Sequence, residues 1–401
     1  MKITRGIFAF SLLIAPLVFS AIAGSAGKPS ANRKYLVFVG TYTTKTESKG
    51  IYGFEVDADT GKLTPKGVAA ETLDPSWVAV HPSGKFLYAA NEAGKGSAVS
   101  AFAVDAKSAK LTLLNQIPSL GEDPCYLSFD KTGKYLLVAN YTSGTIVVFP
   151  ILADGRLGEH TALLKNSGAT GPNKERQEGP HAHWIETSAH NRFVYVADLG
   201  LDRVLIYKFD ATKGALTAGE AQPSKASPDT GAPLDPFSAT LSPGAGPRHV
   251  AFAPDGKFMY ALGEIQSTVT VFANHAQTTY RSVQQISTLP KAFTGRNDAA
   301  EIAVHPNGKF LYASNRGEDT IAMFAIDSQK GTLTHVANVP TQGKEPRHFA
   351  IDPTGHFLLA ENQNSDTIVE FRIDTTSGKL TPTGEVVHVP SPVCLAFYSE
   401  E

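Results

Sequence analysis

Apolar positions in this chain come in short runs separated by turns rich in glycine, proline and asparagine, and the pattern returns at a regular interval. Gly246 to Glu264 (GPRHVAFAPDGKFMYALGE) shows the unit: a strand through Val250 and Phe252, a turn at Pro254-Asp255-Gly256-Lys257, and a buried return strand from Phe258 to Leu262. Proline presets φ for such a turn and glycine accepts φ > 0. The turn recurs at 81–85, 130–134, 188–192, 253–257, 305–309 and 352–356. A third strand follows at 51–54, 99–102, 146–149, 204–207, 269–272, 321–324 and 368–371, which makes seven copies. A weaker fourth strand is marked at 61–64, 110–112, 155–157, 214–217, 331–334 and 378–381.

Four strands per unit, spaced by roughly 50 residues, predict an all-β fold: a seven-bladed β-propeller. The first unit lacks an innermost strand before Tyr35, and the chain ends on Pro392-Val393-Cys394-Leu395-Ala396-Phe397, which matches an innermost strand with nothing after it. The C-terminal strand is therefore expected to complete the first blade and remove the exposed edges of an open ring. Two stretches without the period, Lys165 to Pro180 and Ala218 to Gly246, enter ahead of the innermost strands of blades 4 and 5. Long loops in a compact domain commonly carry function. The aromatics after the turns, such as Phe86, Tyr135 and Phe258, are expected to pack between blades.

Composition narrows the partners. Charged residues make up 18 %, and the formal net charge is −2. No footprint for nucleic acid results. Cys125 and Cys394 form no CxxC and no metal-type cluster, although one disulfide is open to them if they meet in space. At the N-terminus Lys2 and Arg5 precede an apolar run from Ile7 to Ala23, and Ala21-Ile22-Ala23 fits a small-x-small cleavage pattern. Residues 1–23 thus read as a signal peptide. The run is short for a membrane span, and no cysteine follows it for lipid attachment. The mature propeller, 24–401, is expected to be periplasmic or secreted, without a stable membrane anchor, and a monomer.

Candidate chemistry lies where the repeat changes character. One column, just before each innermost strand, reads Ser76, Cys125, His183, Arg248, Ala300, Arg347, Val393; another, just past the second strand, reads Thr41, Glu92, Tyr141, Leu199, Glu264, Arg316, Gln363. The innermost strand leaves one face of the ring and the second returns to it, so both columns share one mouth of the axial channel. His183, Arg248, Glu264, Arg316 and Arg347 fall in consecutive blades, on one side of that mouth. A histidine or arginine beside a loop commonly braces the loop, and a lone Glu commonly pairs with an Arg. The convergence of several in one place is what points to a site.

These residues also carry a resemblance. Gly40-Thr41-Tyr42-Thr43, Gly179-Pro180-His181-Ala182-His183, Val196-Ala197-Asp198-Leu199-Gly200 with Asp202, Gly246-Pro247-Arg248-His249, Glu264 and Ser314-Asn315-Arg316 resemble the lactonase family of seven-bladed propellers. That family includes propeller-type 6-phosphogluconolactonases and the fungal carboxy-muconate lactonizing enzyme. The resemblance implies catalytic roles for His183, Arg248, Glu264 and Arg316. His181, His249, Arg347 and Asp198 are the accompanying candidates for substrate contact. The export signal departs from the family's phosphorylated substrate, since 6-phosphogluconolactone is a cytosolic metabolite. The expected function is hydrolysis of a sugar or carboxylated lactone, with no cofactor and no metal. Opening a cyclic ester needs an activated water, a place for the oxyanion and a proton for the leaving alkoxide. No GxSxG motif is present, so no covalent intermediate is expected. His183 or Glu264 can take the proton, and Arg248 and Arg316 can hold an anion. A muconate-type cycloisomerase and a non-catalytic ligand- or partner-binding propeller are the alternatives.

Overall fold

The computed structural model describes residues 34–398 apart from 220–236 and 277. The expected signal peptide and the middle of the second insertion lie outside them. The described residues form seven β-sheets, and consecutive strands pair antiparallel within each. Six sheets begin at their innermost strand: Pro75–Val80, Pro124–Phe129, Ala182–Thr187, Pro247–Phe252, Asp298–Val304 and Pro346–Ile351. The first sheet takes its innermost strand from the far end of the chain. Pro392–Tyr398 pairs with Lys34–Thr41, in the register Leu36↔Tyr398 to Thr41↔Pro392.

The core is a set of apolar layers between blades. Val37, Val39 and Leu395 of blade 1 pack with Leu359 and Ile368 of blade 7, so the ring is closed by side chains as well as by backbone. Four of the aromatics after the turns pack between blades against a glycine of the following unit: Phe86 on Gly155, Tyr135 on Gly214, Phe258 on Gly331 and Phe310 on Gly378. A Cβ on Gly155 would stand 2.3 Å from the Phe86 ring, and one on Gly331 would meet Phe258 at 2.2 Å. Turn residues also tie neighbours together: His81 Nε2 bonds the Gly133 carbonyl and His305 Nε2 that of Gly355, each at 2.8 Å.

The structure differs from the sequence expectation in four places. Blade 5 has a full fourth strand, Thr279–Ser287, which no Gly-x-Leu-Thr signal announced. In blade 3 the outer strand is Ala162–Lys165, and the segment at 155–157 contributes only an isolated bridge between Leu157 and Ile151. The second insertion is not all irregular: Ser238–Thr240 pairs with the third strand of blade 4. The cysteines do not meet. Both are buried free thiols, Cys125 beside the His183 carbonyl and Cys394 against the backbone of Val78.

Candidate active site at one mouth of the channel

The first column lies inside the innermost strands, at a β-bulge that recurs around the ring. The register slips at His183 between Ala182 and Trp184, at Arg248 between Pro247 and His249, and at Arg347 between Pro346 and His348. A bulge leaves one residue unpaired and re-aims its side chain. Here it turns that side chain toward the mouth. In blade 6 the slip spans two residues, Ala300 and Glu301.

Glu264 is the hub. It follows the second strand of blade 5, where its N–H donates to the Gly246 carbonyl at 2.8 Å. Its Oε1 accepts from Arg176 Nη2 at 2.6 Å and lies 3.2 Å from Arg316 Nη2; its Oε2 lies 3.1 Å from Arg248 Nε. Burial disfavours the charge, but Arg316, Arg248, His183 and Arg176 outweigh it and hold the carboxyl well below the usual range. Glu264 is thus an ionised anchor and a poor proton acceptor. Arg248 Nη1 also donates to the Ala300 carbonyl at 2.6 Å. Burial and the neighbouring Arg316 and Arg347 bring its pKa down to about 10, which still leaves it charged at neutral pH.

His183 is buried beside this cluster. Its ring meets Tyr141 and His249 edge to face, at 5.5 and 5.2 Å between centroids. Its Nδ1 is buried without a hydrogen-bond partner. Burial and the Arg248 charge lower its pKa well below the ordinary value, so the imidazole is neutral at pH 7.

Arg347 stands apart from Glu264. Its Nη2 donates to Tyr42 Oη at 2.8 Å, and Tyr42 donates to Glu92 at 2.8 Å. His181 stacks on Tyr141 at 4.6 Å and lies 3.0 Å from Glu178. Asp198 is fully buried and bonds protein groups: its carboxylate accepts from the N–H of His181 and of Leu201, and from Asn166 Nδ2. Asp202 pins both insertions, accepting from Gln177 at 2.8 Å and from the N–H groups of Gly244 and Gly246 at 2.7 and 2.8 Å. Together they brace the loop that carries Arg176 to Glu264.

Beneath the mouth lies a chain of buried groups across blades 5 to 7. Arg248 Nη1, which can only donate, lies 3.1 Å from His249 Nε2, while His249 Nδ1 lies 2.9 Å from Glu301 Oε2. The donor–acceptor pattern assigns the proton of a neutral His249 to Nδ1. His348 faces Glu301 through Nε2 at 3.5 Å and Glu361 through Nδ1 at 2.6 Å. Burial opposes its charge, but Glu361 and Glu301 overcome this and raise its pKa. Burial raises Glu301 and Glu361 as well, so His348 and the two carboxyls form one coupled group beside Arg248.

The structure therefore brings His183, Arg248, Glu264 and Arg316 to one place, with His249 just below. It sets Arg347 and His181 at the flanks and Asp198 in the loop scaffold. Sequence reading missed Arg176, Glu301, His348 and Glu361. The column one residue further along each innermost strand, Trp77, Tyr126, Trp184, His249, Glu301, His348, Cys394, holds two of them and was available. Arg176 sits in a segment with no period to align. Among the described residues no group of three His, Cys, Asp or Glu is arranged to hold a metal ion.

Fold and site define a propeller with a buried Arg–Glu–His cluster at one mouth. The chain belongs to the seven-bladed β-propeller lactonase family, whose model matches residues 36–397. It is 36 % identical over 317 residues to the 6-phosphogluconolactonase of Bacillus subtilis, spanning 79 % of this chain and 84 % of that protein. A 6-phosphogluconolactonase of Formosa agariphila is 32 % identical over 323 residues, 78 % of this chain and 85 % of the relative. Among solved structures, the periplasmic gluconolactonase of Pseudomonas aeruginosa superposes with a TM-score of 0.82 at 32 % identity, covering 92 % of this chain and 99 % of its own.

Proposed function

We propose that the protein is an exported lactonase that opens the ring of a sugar-acid lactone by acid–base catalysis, without a metal or a covalent intermediate. One observation carries this reading: a neutral histidine with an unpartnered buried nitrogen sits beside a carboxylate that gathers three arginines at one mouth. In this mechanism His183 takes a proton from the attacking water. Arg248 and Arg316, fixed by Glu264, face the oxyanion that develops on the carbonyl. The proton held by His183 then passes to the ring oxygen as the C–O bond breaks, giving the hydroxy acid. Arg176 is the half-exposed arm of the cluster and comes from an insertion, so it is the group an anionic substrate displaces on entry. Similarity to a periplasmic gluconolactonase supports export and a non-phosphorylated substrate.

The test is the rate of D-glucono-δ-lactone opening above the spontaneous rate. His183→Ala and Glu264→Gln are each expected to lower kcat/KM by roughly 10²-fold or more. Full activity in both variants overturns the mechanism. The paired, nearly closed state of the cluster favours the second reading, a non-catalytic binding propeller. Absence of any rate above background in the native protein, with a ligand still bound at the mouth, would select it. Export is checked by finding the protein in the periplasm or medium with an N-terminus near Gly24, and size-exclusion chromatography checks the monomer.

A further inference from the structure

The far end of the channel breaks the repeat as well. Three residues beyond the bulge, about 10 Å along each innermost strand, the ring reads Ala79, Ser128, Ala251, Ala303, Ala350 and Ala396 in six blades. All are partly exposed. In the seventh, blade 4, the position is Glu186. Small side chains leave space there. Ala79, Ser128, Ala396 and Glu186 line a cavity of about 430 Å³, and Ala251 and Glu186 line a second of about 740 Å³. Glu186 and Lys131 border both, so the two meet at the one carboxylate of the ring.

That carboxylate has little to hold it. Tyr126 Oη donates to Oε1 at 3.2 Å, and no cation among the described residues reaches ion-pair distance. Burial raises its pKa, with only Lys131 and Tyr126 working the other way. A carboxylate enclosed without a cation is costly, and a partner that supplies the missing charge relieves that cost. The walls are aromatic: Trp77, Tyr126 and Phe129 in the first cavity, and Tyr195, Phe252 and Tyr280 in the second. Aromatic faces around an anion suit an organic cation.

We propose that this lower chamber is a second ligand site, which takes a small organic monocation, an amine carrying an aromatic or alkyl body, with its nitrogen on Glu186. It lies at the opposite mouth from the Arg–Glu–His cluster and does not depend on the lactonase reading.

Trp77 is one of only two tryptophans and lines the chamber, so fluorescence titration reports on it. The probe is benzylammonium chloride, with benzyl alcohol as its uncharged counterpart, at pH 8. The expected result is saturable binding of benzylammonium, at least about tenfold weaker in Glu186→Gln, with weaker binding of the alcohol and lactone opening unchanged by the substitution. No binding by the native protein, as when Lys131 swings in to occupy Glu186, overturns the proposal. So does equal binding of the alcohol, or binding indifferent to Glu186→Gln. If Glu186→Gln does not fold, Ala79→Leu fills the chamber and leaves the charge. Loss of the benzylammonium response then supports the site, and an unchanged response overturns it.

Discussion

Glu301 is the residue on which the buried chain beneath the mouth turns. It accepts a hydrogen bond from His249 Nδ1, faces His348, and accepts the Ile302 N–H at 2.9 Å through its other oxygen. By accepting from Nδ1 it keeps His249 in the tautomer that offers Nε2 to Arg248, and it shares His348 with Glu361. Outer partners of this kind orient the groups that touch substrate. In Glu301→Gln an amide can still accept from His249, but the charge that helps raise the His348 pKa is gone. The variant is expected to lose roughly tenfold in kcat with KM little changed, and its acidic pH–rate limb should move. Glu301→Asp should recover part of the loss. A melting temperature that falls while kcat and the pH profile stay as in the native protein would show that Glu301 serves stability alone.

At the scale of the strand, Glu370 is the misfit. The matching positions of the other third strands are Gly53, Ala101, Val148, Ile206, Val271 and Met323. The Glu370 carboxylate is buried at the seam between blades 7 and 1, and both its oxygens lack a hydrogen-bond partner. They crowd Gly61, where a Cβ would stand 2.4 Å from Oε1. Burial pushes its pKa up to about 7; Thr383 and Arg372 lower it, and Glu385 and Asp352 add to the rise. A carboxyl raised in the folded state keeps a proton that the unfolded chain releases. Its contribution is therefore present below about pH 4.5 and lost as pH climbs through 7, by about 2–3 kcal/mol. Glu370→Gln, which cannot ionise, should raise the melting temperature at pH 8 and change it little at pH 4.5. An equal shift at both pH values, or a loss at pH 8, would contradict this account of the seam.

The whole molecule was legible wherever the chain repeats itself. Turns and third strands recur closely enough to count blades, and the orphan strand at Pro392 announces how the ring shuts. The site was legible where a repeated column breaks, as at His183, Arg248 and Glu264. It was not legible at Arg176, because a loop braced by Asp198 and Asp202 takes its path from tertiary contacts that no spacing encodes. Nor did the outer strand of blade 5 show itself, since the apolar residues of Thr279–Ser287 (Tyr280, Val283, Ile286) fall at every third position, not every second, and no glycine marks its start. Closure is the property that only the entire ring possesses. Removing 392–398 would uncover the edge of Lys34–Thr41 and strip Leu395 and Cys394 from the layers they fill. The truncated chain should be insoluble or lose cooperative unfolding, since an exposed edge strand pairs with other copies. A circular permutant separates the missing contacts from the break in the chain. With new termini between Val389 and Pro392, Tyr398 can be joined to Lys34 through a short turn, because the two strands are antiparallel and Tyr398 faces Leu36. Blade 1 then acquires the hairpin that every other blade has, and the permutant should match the native melting temperature within a few degrees. A truncated chain that stays soluble, monomeric and equally stable would mean that the closing strand is dispensable and that the ring is held by its blade-to-blade layers alone.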